Sequence, residues 1–139
     1  MKVILKSKQN KSLTATDPDG LETHFDSSIE HGGDGSASSP MVVMLEAMAA
    51  CSFMDVMFII KKQRKRVDEL QVIVDSKRAE EHPKVYTSVH LHYILRSPDA
   101  EQKDLDRAME LSQTKFCSAS AMFQRSGCEV SWDGEIVKD

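Results

Sequence analysis

The sequence has few cysteines, and their spacing is not that of a disulfide framework or a zinc site. Cys51, Cys117 and Cys128 are the only three, and no two of them form a C-x-x-C motif. Such an odd and sparse set argues against a secreted, disulfide-rich protein. In a reducing compartment these cysteines are either buried thiols or redox-active groups, and their surroundings must distinguish the two.

The chain also lacks a strong charge of either sign. Its net charge is −4, so nothing in it favours a nucleic-acid partner. The N-terminal MKVILKSK contains only three consecutive apolar residues, too few for the core of a signal peptide. Hydrophobic residues make up 40% and charged residues 29% of the chain, which is typical of a globular protein. We therefore expect a single cytoplasmic domain spanning residues 1–139.

One long apolar run interrupts this ordinary composition. It reads MVVMLEAMAACSFMDVMFII, residues 41–60, and its only polar residues are Glu46, Ser52 and Asp55. The run is long enough to cross a bilayer, but two acids well inside it disfavour insertion. A helix that is apolar nearly all round must be buried on most sides, and a chain of this size needs a second subunit to bury it. We expect the buried central helix of a homodimer that does not span a membrane.

The segment before this helix predicts short strands and a loop. KVILKS and KSLTAT, with turn signals at Gln9-Asn10 and Asp17-Pro18-Asp19-Gly20, indicate an N-terminal β-meander. HGGDGSASSP, residues 31–40, indicates a flexible loop that leads into the helix. Ser39 is then the N-cap and Pro40 the first helical residue.

The segment after the helix predicts a β-hairpin. ELQVIVDSKRA and KVYTSVHLHYIL are β-rich runs separated by Glu80-Glu81-His82-Pro83. Alternation places Val89, Leu91, Tyr93 and Leu95 on one face of the second strand, and Ser88, His90 and His92 on the other. Histidines at i and i+2 can bind a metal, but no third ligand stands at a recognisable spacing, so the sequence predicts no metal site.

The C-terminal third predicts a second helical region and a last strand. The helix should start at Ser97-Pro98-Asp99 and, after a break near Ser112, continue through Cys117 to a stop at Gly127. Its inward face should hold Leu105, Ala108, Met109, Ser112 and Phe116. CEVSWDGEIV is the final strand. The expected class is α+β, with the order β-β-β-α-β-β-α-(α)-β.

Cys51 and Cys117 both lie in predicted helices. Asp55 is one turn from Cys51 on the same face, where an acid must be paired, hydrogen-bonded or protonated. By default a single helical cysteine is a buried, inert thiol. Small residues around both cysteines permit close approach, but spacing alone does not establish it.

These stretches resemble one known family. From Ser39-Pro40-Met41 through AACSFMD, residues 49–55, the chain looks like the central helix of the OsmC/Ohr family, the osmotically inducible protein C and organic hydroperoxide resistance proteins. SKR with EEHP, then VHLHY, then RAMELS through KFCS extend the resemblance over about residues 39–137. It implies an α+β fold in an intertwined homodimer, with two long central helices packed between sheets built from both chains.

The resemblance also implies a cysteine-based peroxidase that needs no cofactor or metal. Cys51 would be the peroxidatic thiolate and Cys117 the resolving thiol, and an external dithiol would reduce their disulfide. The apolar surroundings of Cys51 suit an organic hydroperoxide better than hydrogen peroxide. Cys128 matches no family position and is expected to be structural.

Two positions differ from the family pattern and indicate a divergent branch. Met41 follows Pro40 where the family has an orienting glutamate, and the first arginine is Arg64, which leaves only lysines in the N-terminal region. Asp55 would then take the orienting role. Two alternatives remain open: a plain structural or regulatory dimer, and a non-catalytic dimer that binds a small lipophilic ligand in a pocket lined by Met41, Met44, Met48, Met54 and Met57.

Overall fold

Two compact units make up the chain, residues 1–46 and residues 47 onward, and the computed structural model describes residues 1–138. The first unit is a small β-sheet followed by a loop and the start of a long helix. The second contains the rest of that helix, three strands and two further helices. This content confirms the α+β class and the predicted order of elements.

The first unit begins with the predicted β-meander. Strands β1 (Ile4–Ser7), β2 (Leu13–Thr16) and β3 (Glu22–Phe25) pair antiparallel in sequence order. The second turn is held by Asp17, whose carboxylate accepts the backbone N–H groups of Asp19 at 2.8 Å and Leu21 at 3.0 Å. The turn residues and the strand pattern therefore both predicted this meander correctly.

The loop that follows β3 is organised around Asp26. Its carboxylate accepts hydrogen bonds from the Ser36 hydroxyl at 2.6 Å, the Ser36 N–H at 3.0 Å and the Ser27 N–H at 2.7 Å. A 3-10 turn, Ile29–His31, lies inside the same loop. The sequence predicted a flexible loop here, whereas in the structure side-chain and backbone hydrogen bonds define its path.

Helix α1 (Pro40–Lys62) begins at the predicted residue. The Ser39 carbonyl accepts the N–H of Val43 at 3.0 Å, which closes the first turn. Within this chain the helix buries one side only, formed by Met48, Ser52, Val56, Ile59 and Ile60. By length and composition α1 could cross a membrane, a test that core helices of soluble proteins also pass.

The second unit contains a three-stranded sheet. Strands β4 (Glu69–Arg78) and β5 (Tyr86–Arg96) form the predicted antiparallel hairpin, and β6 (Glu129–Val137) pairs parallel to β5. The predicted inward residues of β5 are at most 1% exposed, and they are Val89, Leu91, Tyr93 and Leu95. The alternation of side chains along β5 was therefore predicted correctly.

The connection from β5 to β6 is helical and breaks at Ser112, as predicted, but its start and the position of Phe116 differ from the prediction. Helix α2 (Gln102–Leu111) starts later than expected, because Ser97 stays in a turn where its hydroxyl accepts the Ala100 N–H at 3.0 Å. A π-helical turn, Ser112–Phe116, then precedes helix α3 (Ser118–Arg125). The wider turn breaks the helical spacing, so Phe116 is 49% exposed and its predicted place on the inward face is wrong.

Candidate functional site

Folding brings together two cysteines that are far apart in the sequence. The sulfur atoms of Cys51 and Cys117 and a carboxylate oxygen of Asp55 all lie within 4.8 Å of one another. Helix α1 supplies Cys51 and Asp55, and Cys117 stands between the π-helical turn and α3. Both thiols are free. Since a disulfide needs an S–S distance of about 2.05 Å, a small side-chain movement would join them.

The two thiols differ in accessibility. Cys51 is partly exposed, whereas Cys117 is only 3% exposed. Cys117 is also the N-cap of α3, where its sulfur accepts the Ser120 backbone N–H at 3.3 Å. Burial raises the pKa of the Cys117 thiol, and the Ser120 hydrogen bonds oppose that effect. A reagent from solvent therefore reaches Cys51 more readily than Cys117.

Asp55 is held beside the thiols by the π-helical turn. The Ser112 hydroxyl donates to Asp55 Oδ2 at 3.1 Å. Partial burial raises the pKa of the Asp55 carboxyl, and the hydrogen bond from Ser112 lowers it. Within residues 1–138, no lysine or arginine forms a salt bridge with this carboxylate.

A chain of hydroxyl groups leads from the sheet to Asp55. The Tyr93 hydroxyl on β5 is hydrogen-bonded to the Ser52 hydroxyl on α1, which is 2.8 Å from the Ser112 hydroxyl. Each hydroxyl has one proton, so with a carboxylate as the last acceptor the donation runs from Tyr93 to Ser52, Ser112 and Asp55. The Gln113 amide supports the chain, because Nε2 donates to Ser52 at 3.1 Å and to Tyr93 at 3.0 Å.

Sequence reasoning missed this hydroxyl chain. Ser52, Ser112 and Gln113 are all buried, and Tyr93 is 0% exposed. The signal that could have revealed it is a polar residue at an inward position of an apolar face, since buried hydroxyls need partners. Ser52 in the apolar run and Ser112 on the predicted inward face of α2 both meet that description.

An open pocket of about 500 Å³ lies next to Asp55. Its apolar lining comes from Phe58, Ile59, Leu111 and Phe116. Three cationic side chains also line it, and they are Lys62, Arg107 and Lys115. The N-terminal region holds four further lysines, Lys2, Lys6, Lys8 and Lys11. Of these, Lys11 donates to the His31 carbonyl at 2.7 Å within the first unit.

The methionines of the ligand-binding alternative differ in exposure within this chain. Met48 is fully buried in the core, while Met44 is 51% and Met54 is 70% exposed. Within this chain Met48 therefore belongs to the core, whereas Met44 and Met54 do not. Cys128 is buried at 6% exposure and lies outside the cluster of Cys51, Asp55 and Cys117.

The histidines of β5 pair with an acid on the neighbouring strand. Asp133 Oδ1 lies 2.9 Å from His90 Nε2 and 2.8 Å from His92 Nδ1. The hydrogen bond to Asp133 raises the pKa of His92, and both histidines lower the pKa of Asp133. This pairing occupies the face of the sheet opposite the buried Val89, Leu91, Tyr93 and Leu95.

A protein-family model and a related bacterial protein both match this chain. A family model described as OsmC-like protein matches residues 33–133. Protein YhfA of Escherichia coli K12 is 36% identical over 107 residues, which cover 77% of this chain and 78% of that protein.

Solved structures agree with the fold. The OsmC-like protein from Mycoplasma pneumoniae superposes with a TM-score of 0.81 at 17% identity, over 98% of this chain and 96% of that one. The organic hydroperoxide resistance protein OhrB of Bacillus subtilis gives a TM-score of 0.61 at 17% identity, over 96% of each chain. The family model matches residues 33–133, and YhfA is 36% identical over 77% of the chain. On these two findings, the chain belongs to the OsmC-like protein family.

Proposed function

We propose that this protein is a thiol-dependent peroxidase that reduces organic hydroperoxides through Cys51 and Cys117. The observation that carries the proposal is the convergence of the two sulfur atoms, within 4.8 Å, from separate helical segments. A structural thiol has no need of a second thiol at this distance, whereas a peroxidatic cysteine that is recycled through an intramolecular disulfide needs a resolving thiol within reach.

The reaction divides into two balanced steps. The Cys51 thiolate attacks one peroxide oxygen and the O–O bond breaks, which gives a sulfenic acid on Cys51 and an alkoxide that takes up a proton to leave as an alcohol. The Cys117 thiolate then attacks the sulfenic sulfur, the S–O bond breaks, and the oxygen leaves as water after protonation. An external dithiol reduces the resulting disulfide and restores both thiols.

The accessibility of the two thiols supports this division of roles. Cys51 is partly exposed and can meet a substrate, while Cys117 is buried and protected from direct attack. Asp55 acts as a positioning residue, because its bond to Ser112 fixes the carboxylate beside both sulfurs. It would take the place of the family glutamate, where this chain has Met41.

The pocket next to Asp55 supports an organic substrate. Its apolar lining would bury the alkyl or aryl part of a hydroperoxide, a contact that hydrogen peroxide cannot make. Lys62, Arg107 and Lys115 would in addition bind a carboxylate on that substrate. The structurally similar OhrB of Bacillus subtilis is an organic hydroperoxide resistance protein, which is consistent with this substrate class.

The functional form we propose is a cytoplasmic homodimer of one OsmC-like domain spanning residues 1–139. Support comes from the uncovered side of α1, where Met54 is 70% and Phe58 is 67% exposed. A second copy of the chain would bury these side chains, which is the favourable arrangement for a helix that is apolar nearly all round.

Peroxide consumption by single cysteine variants tests the enzymatic proposal. Purified reduced protein is mixed with cumene hydroperoxide and excess dithiol, and peroxide loss is followed over time. We expect Cys51→Ser to abolish consumption. With peroxide but no dithiol, the Cys117→Ser variant should accumulate a sulfenic acid on Cys51, detected by mass spectrometry after trapping with dimedone.

The matched control is Cys128→Ser, which removes the third thiol and should retain the wild-type rate. The proposal fails if Cys51→Ser consumes peroxide at the wild-type rate. It also fails if neither a Cys51 sulfenic acid nor a Cys51–Cys117 disulfide forms.

A second candidate function is the binding of a small lipophilic ligand without chemistry, and the pocket of about 500 Å³ favours it. Its lining differs from the methionine wall expected from the sequence. A fluorescent fatty acid titrated into the reduced protein separates the two functions. Binding that persists in Cys51→Ser, together with no peroxide consumption by the wild type, would favour the ligand-binding function.

A further inference from the structure

The cluster beside the pocket has the composition of a metal site. Two thiols and one carboxylate converge there, and the ligand atoms of Cys51, Asp55 and Cys117 lie within 4.8 Å of one another. Among residues 1–138 this is the one group of three or more histidine, cysteine or acidic side chains that meets this distance. The sequence could not reveal it, because Cys117 stands far from the other two along the chain.

The spacing of the three atoms is close to that of a tetrahedral zinc site. With bonds of about 2.3 Å to sulfur and about 2.1 Å to oxygen, zinc holds its ligand atoms roughly 3.6–3.8 Å apart. The three atoms must therefore approach one another by about 1.2 Å at most, which side-chain rotation can supply. Two soft thiolates with one carboxylate suit zinc better than the hard cations magnesium or calcium.

Outer partners already orient two of the three ligands. Ser112 donates to Asp55 Oδ2 at 3.1 Å, which leaves the other carboxylate oxygen available to an ion. The Ser120 N–H donates to Cys117 Sγ at 3.3 Å and so fixes the direction of that sulfur. Ser112 is itself held at 2.8 Å by Ser52. Hydrogen bonds of this kind to the ligands are a regular part of protein zinc sites.

We propose that the reduced protein binds a zinc ion through Cys51, Cys117 and Asp55. The ion replaces the two thiol protons, which are released to solvent, and the bound thiolates donate their lone pairs to the metal. Cys51 and Asp55 are partly exposed, so a fourth position remains open to water or to a small ligand. The chemical class of the ligand is a thiophilic divalent cation.

The site exists only while both thiols are reduced. This part of the inference rests on the proposed peroxidase: two bound thiolates, one hydroperoxide and two protons give a disulfide, an alcohol and water, and zinc leaves with its charge unchanged. The thiolates are oxidised and the O–O bond is reduced. Zinc and peroxide therefore compete for the same pair of sulfurs.

Cobalt and zinc binding to the full chain test the proposal without reference to activity. Reduced, metal-free protein is titrated with Co²⁺, and a thiolate-to-cobalt absorption band together with the visible bands of a tetrahedral ion should saturate at one ion per chain. Zinc should then displace cobalt and remove these bands. Treatment with cumene hydroperoxide should release zinc, measured with a chromogenic chelator.

Variants locate the ligands. Cys51→Ser and Cys117→Ser each remove one of the two thiolate ligands. In each variant the intensity of the thiolate-to-cobalt band should therefore fall to half of the wild-type value or less. Asp55→Asn should weaken zinc binding by more than the roughly 10- to 100-fold typical of an outer partner, and Ser112→Ala should fall within that range. Cys128→Ser and Asp106→Asn, which alter a thiol and an acid outside the cluster, should bind as the wild type does. Circular dichroism checks that each variant is folded.

The outcomes separate this inference from the proposed function. If the reduced wild type shows no thiolate-to-cobalt band, or if Cys128→Ser weakens binding as much as Cys117→Ser, the metal site is refuted whatever the peroxidase assay gives. Equal binding by the reduced and the disulfide forms also refutes it. Stoichiometric zinc binding without peroxide consumption would uphold the site and overturn the peroxidase.

Discussion

The Ser112 hydroxyl donates a hydrogen bond to the Asp55 carboxylate at 3.1 Å and so joins the π-helical turn to α1 beside the paired thiols. π-Helical turns often coincide with functional sites, because the extra residue redirects side chains that a regular helix would place elsewhere. Here the turn gives a buried hydroxyl two partners at once, Asp55 and Ser52.

Replacing that hydroxyl should destabilise the protein. Ser112→Ala deprives Ser52 of one partner and leaves Asp55 without its donor, so we expect a loss of about 1–3 kcal/mol in the free energy of unfolding. Urea denaturation measures it. Thr114→Ala in the same turn is the matched control, since Thr114 is exposed and should change the free energy of unfolding by less than about 0.5 kcal/mol. Equal losses in the two variants would contradict the structural role of Ser112.

Tyr93 and Ser112 should be energetically coupled. Tyr93→Phe removes the hydroxyl that is bonded to Ser52 and Gln113, at an expected cost of about 1–3 kcal/mol. Because both residues belong to one hydrogen-bonded chain, the double variant should cost less than the sum of the single variants, by about 0.5 kcal/mol or more. A double-mutant cycle in urea gives the value. Strictly additive losses would show that Tyr93 and Ser112 are not energetically coupled through Ser52.

Asp26 should make the protein sensitive to acid. The Ser36 hydroxyl and the backbone N–H groups around it lower the pKa of this carboxyl from 3.8 to about 2. The folded state therefore binds its proton less readily than the unfolded state, so the stabilisation is present above pH 3.8 and is lost as the pH falls towards 2. The difference in melting temperature between the wild type and Asp26→Asn should shrink over that interval.

A second variant assigns the cause of that acid sensitivity. Ser36→Ala removes the hydroxyl that donates to Asp26 at 2.6 Å but retains the carboxylate. Its melting temperature should show a smaller dependence on pH than the wild type, in the same direction. If Asp26→Asn and the wild type differ by the same amount at every pH, Asp26 makes no contribution to acid sensitivity.

The charge of His92 should depend on Asp133. The hydrogen bond to Asp133 raises the pKa of the imidazole, so Asp133→Asn should lower it, measured by NMR titration of the ring protons. The interaction stabilises the folded state below the ordinary histidine pKa and is lost as the pH rises through the raised value. Ser131→Ala, which removes the hydroxyl 2.7 Å from His90 Nδ1, is the control that leaves the carboxylate in place. An unchanged His92 titration in Asp133→Asn would contradict the pairing.

Local patterns in the sequence were sufficient for much of the fold. The alternation of Val89 and Leu91 with polar neighbours identified β5, and Ser39-Pro40 identified the start of α1. In each case the deciding interactions lie within a few residues, which is the range over which periodicity and capping act. A break near Ser112 was predicted, but Phe116 was misplaced because no local pattern showed that this break is a π-helical turn.

The candidate site depends on contacts that no local pattern contains. Spacing placed Asp55 next to Cys51, but the approach of Cys117 followed only from the family resemblance and from the folded structure. The contact between the hydroxyls of Ser52 and Tyr93, which come from different elements, followed from the folded structure alone. These contacts between distant residues depend on how α1 packs against the β5–β6 connection. That packing involves side chains from the whole unit, so no short stretch of sequence predicts it.

The parallel pairing of β5 with β6 has a consequence for how the protein matures. Cys117 lies on the crossover between these strands, so its final position depends on a long-range alignment that closes only when the last strand is in place. Non-local pairing of this kind is slow to form compared with helices and hairpins. During synthesis, Cys51 is thus present before Cys117, and the two thiols reach their final positions only once β6 has paired with β5.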